Sequence, residues 1–361
     1  MKPLYKFSKN LCLASALIAS GFISTAIAKP VSLTDSKLQF LGTNYVNQTA
    51  EQVSFTRHSK EVLSIKPMEL AFNAGKAQTT SGIALKLATN SNSIAFKFVP
   101  LPTENRGSEF VLFENNVAVK TYTFPKKAKQ LDIAYTSKLK GAKEYKLMLP
   151  TWSNVGLQAI SIDDEAELLN IKTPRNAKYV AMGDSITHGV GQKNATQTYP
   201  YIVADALNFE LFNIAVGGGK TSIPTAQMLA DFDDIELITL LIGYNDWNSP
   251  KADVAVYQAN LDKMLSIIRK SHPQTTIYCI TPLFTKSLKA KRVDQPLNAY
   301  RQAVIDVVTA RQKAGDDNIN VIKGDQITSV KNLREDNPKD PVHLGINGAR
   351  MLAKELIEII K

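Results

Sequence analysis

The chain has 361 residues, of which 44% are hydrophobic, and this is enough for two domains that each bury a core. Lysine and arginine number 43 and aspartate and glutamate 33, so the formal net charge is +10. The basic residues are spread along the chain, which favours solvated faces and argues against a nucleic-acid partner.

The N-terminus has the pattern of a secretory signal. Three lysines precede an uncharged apolar stretch from Leu11 to Ile23, and a small-residue cleavage pattern ends at Ala28. We expect cleavage after Ala28, export to the periplasm or the exterior, and no membrane anchor, since the apolar run is shorter than a bilayer span. Without the three lysines the mature chain keeps 40 basic and 33 acidic residues, a net charge of +7. Its single cysteine, Cys279, allows no intramolecular disulfide.

Residues 29–164 contain short alternating segments separated by Asn, Gly, Ser and Pro. Examples are Ile83–Ala88, Ser93–Phe98 and Tyr145–Leu149. Alternation with a period of two at this spacing predicts a β-sandwich, jelly-roll-like in shape. No catalytic cluster is present in it, and for its one histidine, His58, we favour a structural or peripheral role over a ligand role.

Residues 165–176 are charged, contain Pro174 and are interpreted as a linker. Beyond it, over residues 177–361, strand-like runs alternate with amphipathic helices, which is typical of a parallel sheet covered on both faces. Five strands suit a flavodoxin-like α/β winding. The predicted strands are Lys178–Met182, Leu211–Val216, Leu237–Ile242, Thr276–Ile280 and Val321–Ile322. The predicted helices are Thr198–Leu207, Thr225–Asp231, Asp253–Ser271, Pro296–Lys313 and Asn347–Ile360.

The first strand of this second part runs into Gly183-Asp184-Ser185. A glycine that ends a buried strand delivers the following hydroxyl to the carboxyl edge of the sheet, where ligands of open α/β sheets bind. From this stretch alone, Ser185 is either a nucleophile or a helix cap. For Asp184 we favour a role in capping or bracing the turn.

Three later stretches follow strands and so are expected at the same sheet edge. They contain three consecutive glycines at 217–219, Asn245 in Gly-Tyr-Asn-Asp, and Asp340 three residues before His343. Taken singly, these residues could have purely structural roles: in a turn, at the start of a helix, or, for His343, at the surface. Taken together with Ser185, they have the residue types that acyl transfer requires: a nucleophile, a base, an acid that orients the base, and amide donors. Three further side chains are candidates for the substrate pocket: His188, Tyr244 and Trp247.

The stretch that contains Ser185 and the three later stretches, in this order along the chain, resemble the motifs of the SGNH hydrolase superfamily, also called the GDSL family. The resemblance implies that Ser185 is the nucleophile, His343 the general base and Asp340 the residue that orients it. It also implies that Gly218 and Asn245 join the Ser185 N–H as oxyanion donors. Gly218 is chosen because it stands five residues after an asparagine, with Gly219 as the alternative.

A β-sandwich ahead of such a hydrolase is similar to family two carbohydrate esterases. This second resemblance implies removal of acetyl groups from the hydroxyls of a polysaccharide or oligosaccharide. We expect an esterase for O-acyl groups, above all O-acetyl groups, that uses no metal and no cofactor. Three alternatives stay open: a lipid or thioester hydrolase of the same superfamily, a glycan O-acetyltransferase, and a glycan-binding protein without activity. The oligomeric state is left open.

Overall fold

The structure is a computed structural model that describes residues 28–249, 253–287, 290 and 295–361. Except for Ala28, the predicted signal segment lies outside the described residues. Among the residues that are described, no helix is both long and apolar enough to cross a membrane.

The N-terminal region consists of two antiparallel sheets of six strands each. In chain order its strands are β1 (Ala28–Val31), β2 (Gln39–Leu41), β3 (Tyr45–Gln48), β4 (Val53–Thr56), β5 (Ala84–Thr89), β6 (Ser93–Asn105), β7 (Ser108–Glu114), β8 (Val117–Phe124), β9 (Leu131–Thr136), β10 (Lys143–Met148), β11 (Ser153–Asp163) and β12 (Leu168–Leu169). One sheet has the order β3-β4-β11-β6-β9 with β1 paired to β11, and the other has the order β12-β5-β10-β7-β8 with β2 paired to β5. The second sheet therefore extends into the predicted linker, because Leu168 and Leu169 pair with Thr89 and Ala88.

The two sheets pack face to face around an aromatic core. Ile94, Phe96 and Phe98 of β6 alternate with less buried residues, as a strand with one core face requires. The rings of Phe98 and Phe110, one from each sheet, have centroids 4.7 Å apart. This arrangement confirms the predicted β-sandwich.

Three short helices between β4 and β5 were not predicted from the sequence. They are α1 (Lys60–Leu63), α2 (Pro67–Leu70) and α3 (Ala74–Ala77). Each has only four residues, which is too short for a periodic pattern, and their signals are the caps Ser59 and Asn73 and the proline at 67. Leu70 and Phe72 are buried in the same cluster as residues of the C-terminal sheet, so this segment joins the two regions.

The C-terminal region is a parallel five-stranded sheet covered by helices on both faces. Its strands are β13 (Lys178–Gly183), β14 (Glu210–Asn213), β15 (Ile235–Leu241), β16 (Thr276–Ile280) and β17 (Ile319–Ile322). Its helices are α4 (Ser185–His188), α5 (Tyr199–Ala206), α6 (Ile223–Met228), α7 (Tyr244–Trp247), α8 (Val254–Ser271), α9 (Leu297–Lys313) and α10 (Ile346–Ile360), with single 3₁₀ turns at Ala195–Gln197, Leu229–Asp231 and Val330–Asn332. The strand order β14-β13-β15-β16-β17 is the flavodoxin-like order, which confirms the predicted winding.

Successive residues of β13 face opposite layers. Tyr179 and Ala181 pack with α5 and α10, whereas Val180 and Met182 pack with α6, α8 and α9. Both faces of the sheet are therefore closed, and its carboxyl edge, where β13 meets α4, is left for a site.

Candidate active site

Ser185 stands at the first position of α4, directly after β13. Asp184 is the N-cap of this helix and its side chain accepts a hydrogen bond from the Ile186 N–H at 3.0 Å, as the capping interpretation predicted. Gly183 leaves room for the turn, since a Cβ there would lie 2.2 Å from Thr187 Oγ1 and 2.8 Å from the Leu241 carbonyl oxygen. The sharp strand-to-helix turn brings the half-buried Ser185 hydroxyl to the sheet edge.

His343 and Asp340 lie on the loop that precedes α10 and meet Ser185 there. His343 Nε2 is 2.8 Å from Ser185 Oγ, and His343 Nδ1 is 2.8 Å from Asp340 Oδ2. The backbone N–H groups of Val342 and His343 donate to Asp340 Oδ1, each at 3.1 Å. Burial alone would raise the pKa of Asp340, but the hydrogen bonds from His343 and Val342 outweigh it and hold that pKa below its usual range. The carboxylate is thus ionised and fixed against the imidazole.

The candidate oxyanion donors differ in whether their N–H groups already donate a hydrogen bond within the protein. Within the described part of the chain, the N–H groups of Ser185 and Gly218 have no hydrogen-bond acceptor, whereas the Gly219 N–H donates to the Val216 carbonyl at 2.8 Å. Gly218 has φ of +84°, a backbone conformation that favours glycine. Of the two glycines considered, Gly218 is the one with a free donor.

Asn245 lies at the start of α7 and faces the turn that carries Ser185. Its Nδ2 donates to Asp184 Oδ2 at 3.1 Å and to the Gly219 carbonyl oxygen at 3.1 Å. Both protons of the amide are therefore engaged by the protein itself. The structure brings Asn245 to the site without leaving it a spare donor.

Residues 181–351 match the model of the GDSL-like lipase/acylhydrolase family. This match contains all the residues described above, in their order along the chain. Residues 181–351 form a GDSL-like acylhydrolase domain. This domain is therefore a carboxylic ester hydrolase of the SGNH type, as the order of its motifs predicted.

Solved structures resemble the chain over both regions. They include the salicylyl-acyltransferase SsfX3 from a tetracycline biosynthetic pathway, with 22% identity, a TM-score of 0.80 and coverage of 91% of this chain and 95% of that one. A family two carbohydrate esterase from Cellvibrio japonicus has 15% identity, a TM-score of 0.64 and coverage of 92% and 97%. An acetyl xylan esterase from the rumen bacterium Butyrivibrio proteoclasticus has 14% identity, a TM-score of 0.62 and coverage of 92% and 97%. At such identities these likenesses establish the fold. No curated protein sequence matches the chain.

Two of the three predicted pocket residues of the GDSL-like domain are not in a pocket. Trp247 is 1% exposed and its Nε1 donates to the Gln295 carbonyl at 2.6 Å, so its indole belongs to the core. His188 is fully buried, and its Nδ1 accepts a hydrogen bond from the Gly217 N–H at 3.1 Å. Both predictions are wrong because His188 packs against Trp152 of the N-terminal region and Trp247 packs into the core of the C-terminal region. Tyr244 is half-buried and lines a small apolar pocket with Ile186 and Val342.

Two buried carboxyl groups lie beside the nucleophile turn. Burial raises the pKa of Asp184 to about 7, with a further contribution from the charge of Asp246. Burial likewise raises the pKa of Asp246 to about 6, against hydrogen bonds from Thr221 that favour its charged form. Among the described residues, no group of three or more His, Cys, Asp or Glu side chains has the arrangement to hold a metal ion.

The N-terminal region contributes side chains to this domain that the sequence did not single out. The buried Arg57 donates to the carbonyl oxygens of Asn213 and Ala215, and also to those of Thr79 and Lys76. The bonds to Asn213 and Ala215 span more than 150 residues of sequence, and an isolated arginine at the end of a strand has no local pattern that reveals them.

A cleft of about 680 Å³ opens between two segments. One contains α2 and α3, and the other is the glycine loop of the GDSL-like domain, residues 217–219. Its lining includes Phe72, Asn73 and Lys76 from the N-terminal region and Gly217, Gly218 and Thr221 from the C-terminal region. The volume is in the range of ligand-binding clefts. Among the described residues, its lining includes the candidate oxyanion donor Gly218 but not Ser185 or His343, so the cleft adjoins the site on the side of Gly218.

Proposed function

We propose that the protein is an exported serine esterase that hydrolyses O-acyl esters of carbohydrates, above all O-acetyl esters, through an acyl-enzyme. The observation that carries the proposal is the pair of 2.8 Å contacts that link Ser185 Oγ to His343 and His343 to Asp340. A serine hydroxyl becomes an effective nucleophile when a histidine takes its proton, and the carboxylate fixes the ring tautomer in which Nδ1 carries the proton.

In the acylation step, Ser185 Oγ attacks the ester carbonyl carbon while its proton moves to His343 Nε2. The tetrahedral intermediate carries its negative charge on the former carbonyl oxygen, which the free N–H groups of Ser185 and Gly218 are suited to receive. The bond to the alcohol oxygen then breaks, and the proton on His343 passes to the departing sugar hydroxyl. The positive imidazolium that exists between these events is stabilised by the Asp340 carboxylate.

In the deacylation step, a water takes the place of the sugar. His343 Nε2 removes one proton as the water oxygen attacks the acyl carbon, and that proton passes to Ser185 Oγ as acetic acid leaves. For Asn245 to serve as a third donor, it exchanges its bond with the Gly219 carbonyl for one with the oxyanion, which the rotation of one amide group permits.

The carbohydrate part of the proposal is supported by the similar structures. They include a family two carbohydrate esterase from Clostridium thermocellum in complex with cellohexaose, with 17% identity, and the acetyl xylan esterase already described. The lining of the cleft beside Gly218 includes the polar or charged side chains of Asn73, Lys76 and Thr221, which suit the hydroxyl groups of a sugar. Export rests on the lysines and the apolar run of the first 28 residues.

The decisive experiment compares the purified mature protein with its Ser185→Ala variant. Acetate release is measured from acetylated oligosaccharides and polysaccharides, and turnover is measured for esters of increasing acyl length. We expect turnover by the parent, with acetyl preferred over long acyl chains, and loss of turnover in the variant at an unchanged melting temperature. Ser266→Ala, an exposed serine on α8, serves as the control. Retained turnover by Ser185→Ala contradicts the mechanism, and a preference for long chains contradicts the substrate class.

A second candidate function is acyl transfer to an acceptor other than water. It is favoured by the similarity to the salicylyl-acyltransferase, whose TM-score of 0.80 is above those of the carbohydrate esterases. Product analysis in the presence of an acceptor sugar distinguishes the two functions. An acylated acceptor formed in excess of free acid identifies a transferase, and free acid alone identifies a hydrolase.

A further inference from the structure

The peptide group between Gly217 and Gly218 is held from the N-terminal region. Lys76 Nζ donates a hydrogen bond to the Gly217 carbonyl oxygen at 3.2 Å. The carbonyl of Gly217 and the N–H of Gly218 belong to one peptide plane, and in a trans peptide they point in opposite directions. A donor that fixes the carbonyl therefore fixes the direction of the free Gly218 N–H as well.

The preceding peptide group is held by a second set of contacts. The Gly217 N–H donates to His188 Nδ1 at 3.1 Å, so the ring proton is on Nε2, which lies 2.9 Å from Thr79 Oγ1. The Trp152 indole closes the remaining side, because a Cβ on Gly217 would lie 2.7 Å from Trp152 Cη2. With the N–H and the carbonyl of Gly217 both engaged, the turn has little freedom to rotate.

Lys76 itself is carried on a rigid support. The N-cap Asn73 accepts a hydrogen bond from the Lys76 N–H at 3.0 Å. Arg57 Nη2 donates to the Lys76 carbonyl at 3.0 Å, and Arg57 Nη1 donates to the Asn213 carbonyl at 2.8 Å. One buried guanidinium thus joins the turn that carries Lys76 to the strand end that leads into the glycine loop.

The ammonium of Lys76 also brings charge to this peptide. Within the described part of the chain, Lys76 forms no ion pair with a carboxylate. A cation on a carbonyl oxygen polarises the peptide and makes its N–H a stronger donor. The contact therefore favours both the orientation and the strength of the Gly218 donor.

We propose that Lys76 is a positioning residue for the oxyanion site, acting through the Gly217–Gly218 peptide, and that the N-terminal region in this way takes part in catalysis. The inference rests on the proposed esterase function, in which Gly218 stabilises the tetrahedral intermediate. It gives the N-terminal region a role besides shaping the cleft.

The test compares Lys76→Met and Lys76→Arg with Lys66→Met. Lys66 is an exposed lysine ten positions earlier on the same segment, so its variant removes the same charge without touching the glycine loop. Steady-state kinetics are measured with p-nitrophenyl acetate, together with the inhibition constant of an alkyl boronic acid that forms a tetrahedral adduct with a serine nucleophile. For Lys76→Met we expect kcat to fall about 10-fold and boronate affinity to weaken by a similar factor, which is less than the ~10²–10³-fold cost of deleting an oxyanion donor. KM and the melting temperature should change little, Lys76→Arg should regain most of the loss, and Lys66→Met should match the parent.

Three outcomes overturn the inference. Parent-like kcat and boronate affinity in Lys76→Met exclude a positioning role. A raised KM with unchanged kcat identifies a substrate contact instead, and an equal loss in Lys66→Met identifies a general effect of charge. Absence of ester hydrolysis by the parent contradicts the proposed function, whereas an active parent with an unaffected Lys76→Met contradicts this inference alone.

Discussion

The indole of Trp152 stacks on the imidazole of His188, with ring centroids 3.8 Å apart and ring planes 14° apart. Trp152 lies between the two strands β10 and β11 of the sandwich, and His188 is the last residue of the helix that begins with Ser185. The Trp152 Nε1 also donates to the Gly189 carbonyl at 3.1 Å. The N-terminal region thus packs directly behind the nucleophile, and the two regions form one structural unit around the site.

Trp152→Ala should destabilise the protein by about 3 to 5 kcal/mol, the usual cost of truncating a large buried aromatic residue. Trp152→Phe keeps a ring against His188 and loses the hydrogen bond to Gly189, so it should cost only about 1 kcal/mol. Urea denaturation of both variants measures the difference. Equal and small losses would contradict the packing role given to Trp152.

Asp340→Asn should lower kcat by about 10³-fold or more, because an amide no longer fixes the His343 tautomer or stabilises the imidazolium. The matched control is Asp336→Asn, which changes an exposed acid of the same loop that pairs with Arg334. The control should stay within about twofold of the parent in kcat. A loss of activity that is the same in both variants would point to disturbance of the loop instead.

Asn245→Ala should lower kcat by about 10²-fold, the cost expected for an oxyanion donor. The amide also holds Asp184 and the Gly219 carbonyl, so a loss of stability is expected in addition. Kinetics and thermal denaturation are measured side by side. A lower melting temperature with unchanged kcat would assign Asn245 to the support of the turn and remove it from the set of donors.

Arg57→Met should destabilise the protein by about 3 kcal/mol or more, since it leaves several buried carbonyl oxygens without a donor. Arg350→Met is the control, because the Arg350 side chain lies exposed on α10. We expect that control to cost less than about 1 kcal/mol. Urea denaturation measures the loss of unfolding free energy in both variants. A smaller loss in Arg57→Met than in the control would show that water can replace the guanidinium as the donor to these carbonyl oxygens.

The buried carboxyl groups predict a specific dependence of stability on pH. The pKa of Asp184 rises from its usual 3.8 to about 7 and that of Asp246 to about 6. Between about pH 4 and pH 7 the folded protein therefore holds protons that the unfolded chain releases, so the free energy of unfolding contributed by these groups falls as the pH rises. Asp184→Asn stays neutral and should flatten this fall.

Urea denaturation at pH 5 and pH 8 checks the prediction, with Asp233→Asn as an exposed control on the same domain. The parent and the control should both lose more stability than Asp184→Asn over this interval. If all three show the same difference between the two pH values, the Asp184 carboxyl is not the titrating group.

The amino-acid sequence by itself determined the α/β architecture and the order of its chemical motifs. The strand Thr276–Ile280 has the predicted bounds, and the helix Val254–Ser271 begins one residue later than predicted. Both were recognisable because their hydrophobic residues follow the period of a strand or of a helix. Ser185, Asn245, Asp340 and His343 were recognisable because each follows a predicted strand or precedes a predicted helix. Topology alone then directs those positions to one edge of the sheet.

Only the tertiary structure decided which of the polar and aromatic side chains near these motifs face the cleft. His188 and Trp247 lie close to motif residues in sequence and are nevertheless buried. Lys76 contacts Gly217, and Arg57 contacts the strand end that leads to it, each from more than 100 residues away in sequence. The physical reason is that burial and hydrogen bonding of a side chain depend on packing between distant segments. Short helices such as α3 gain their stability from that packing and show no periodic pattern of their own.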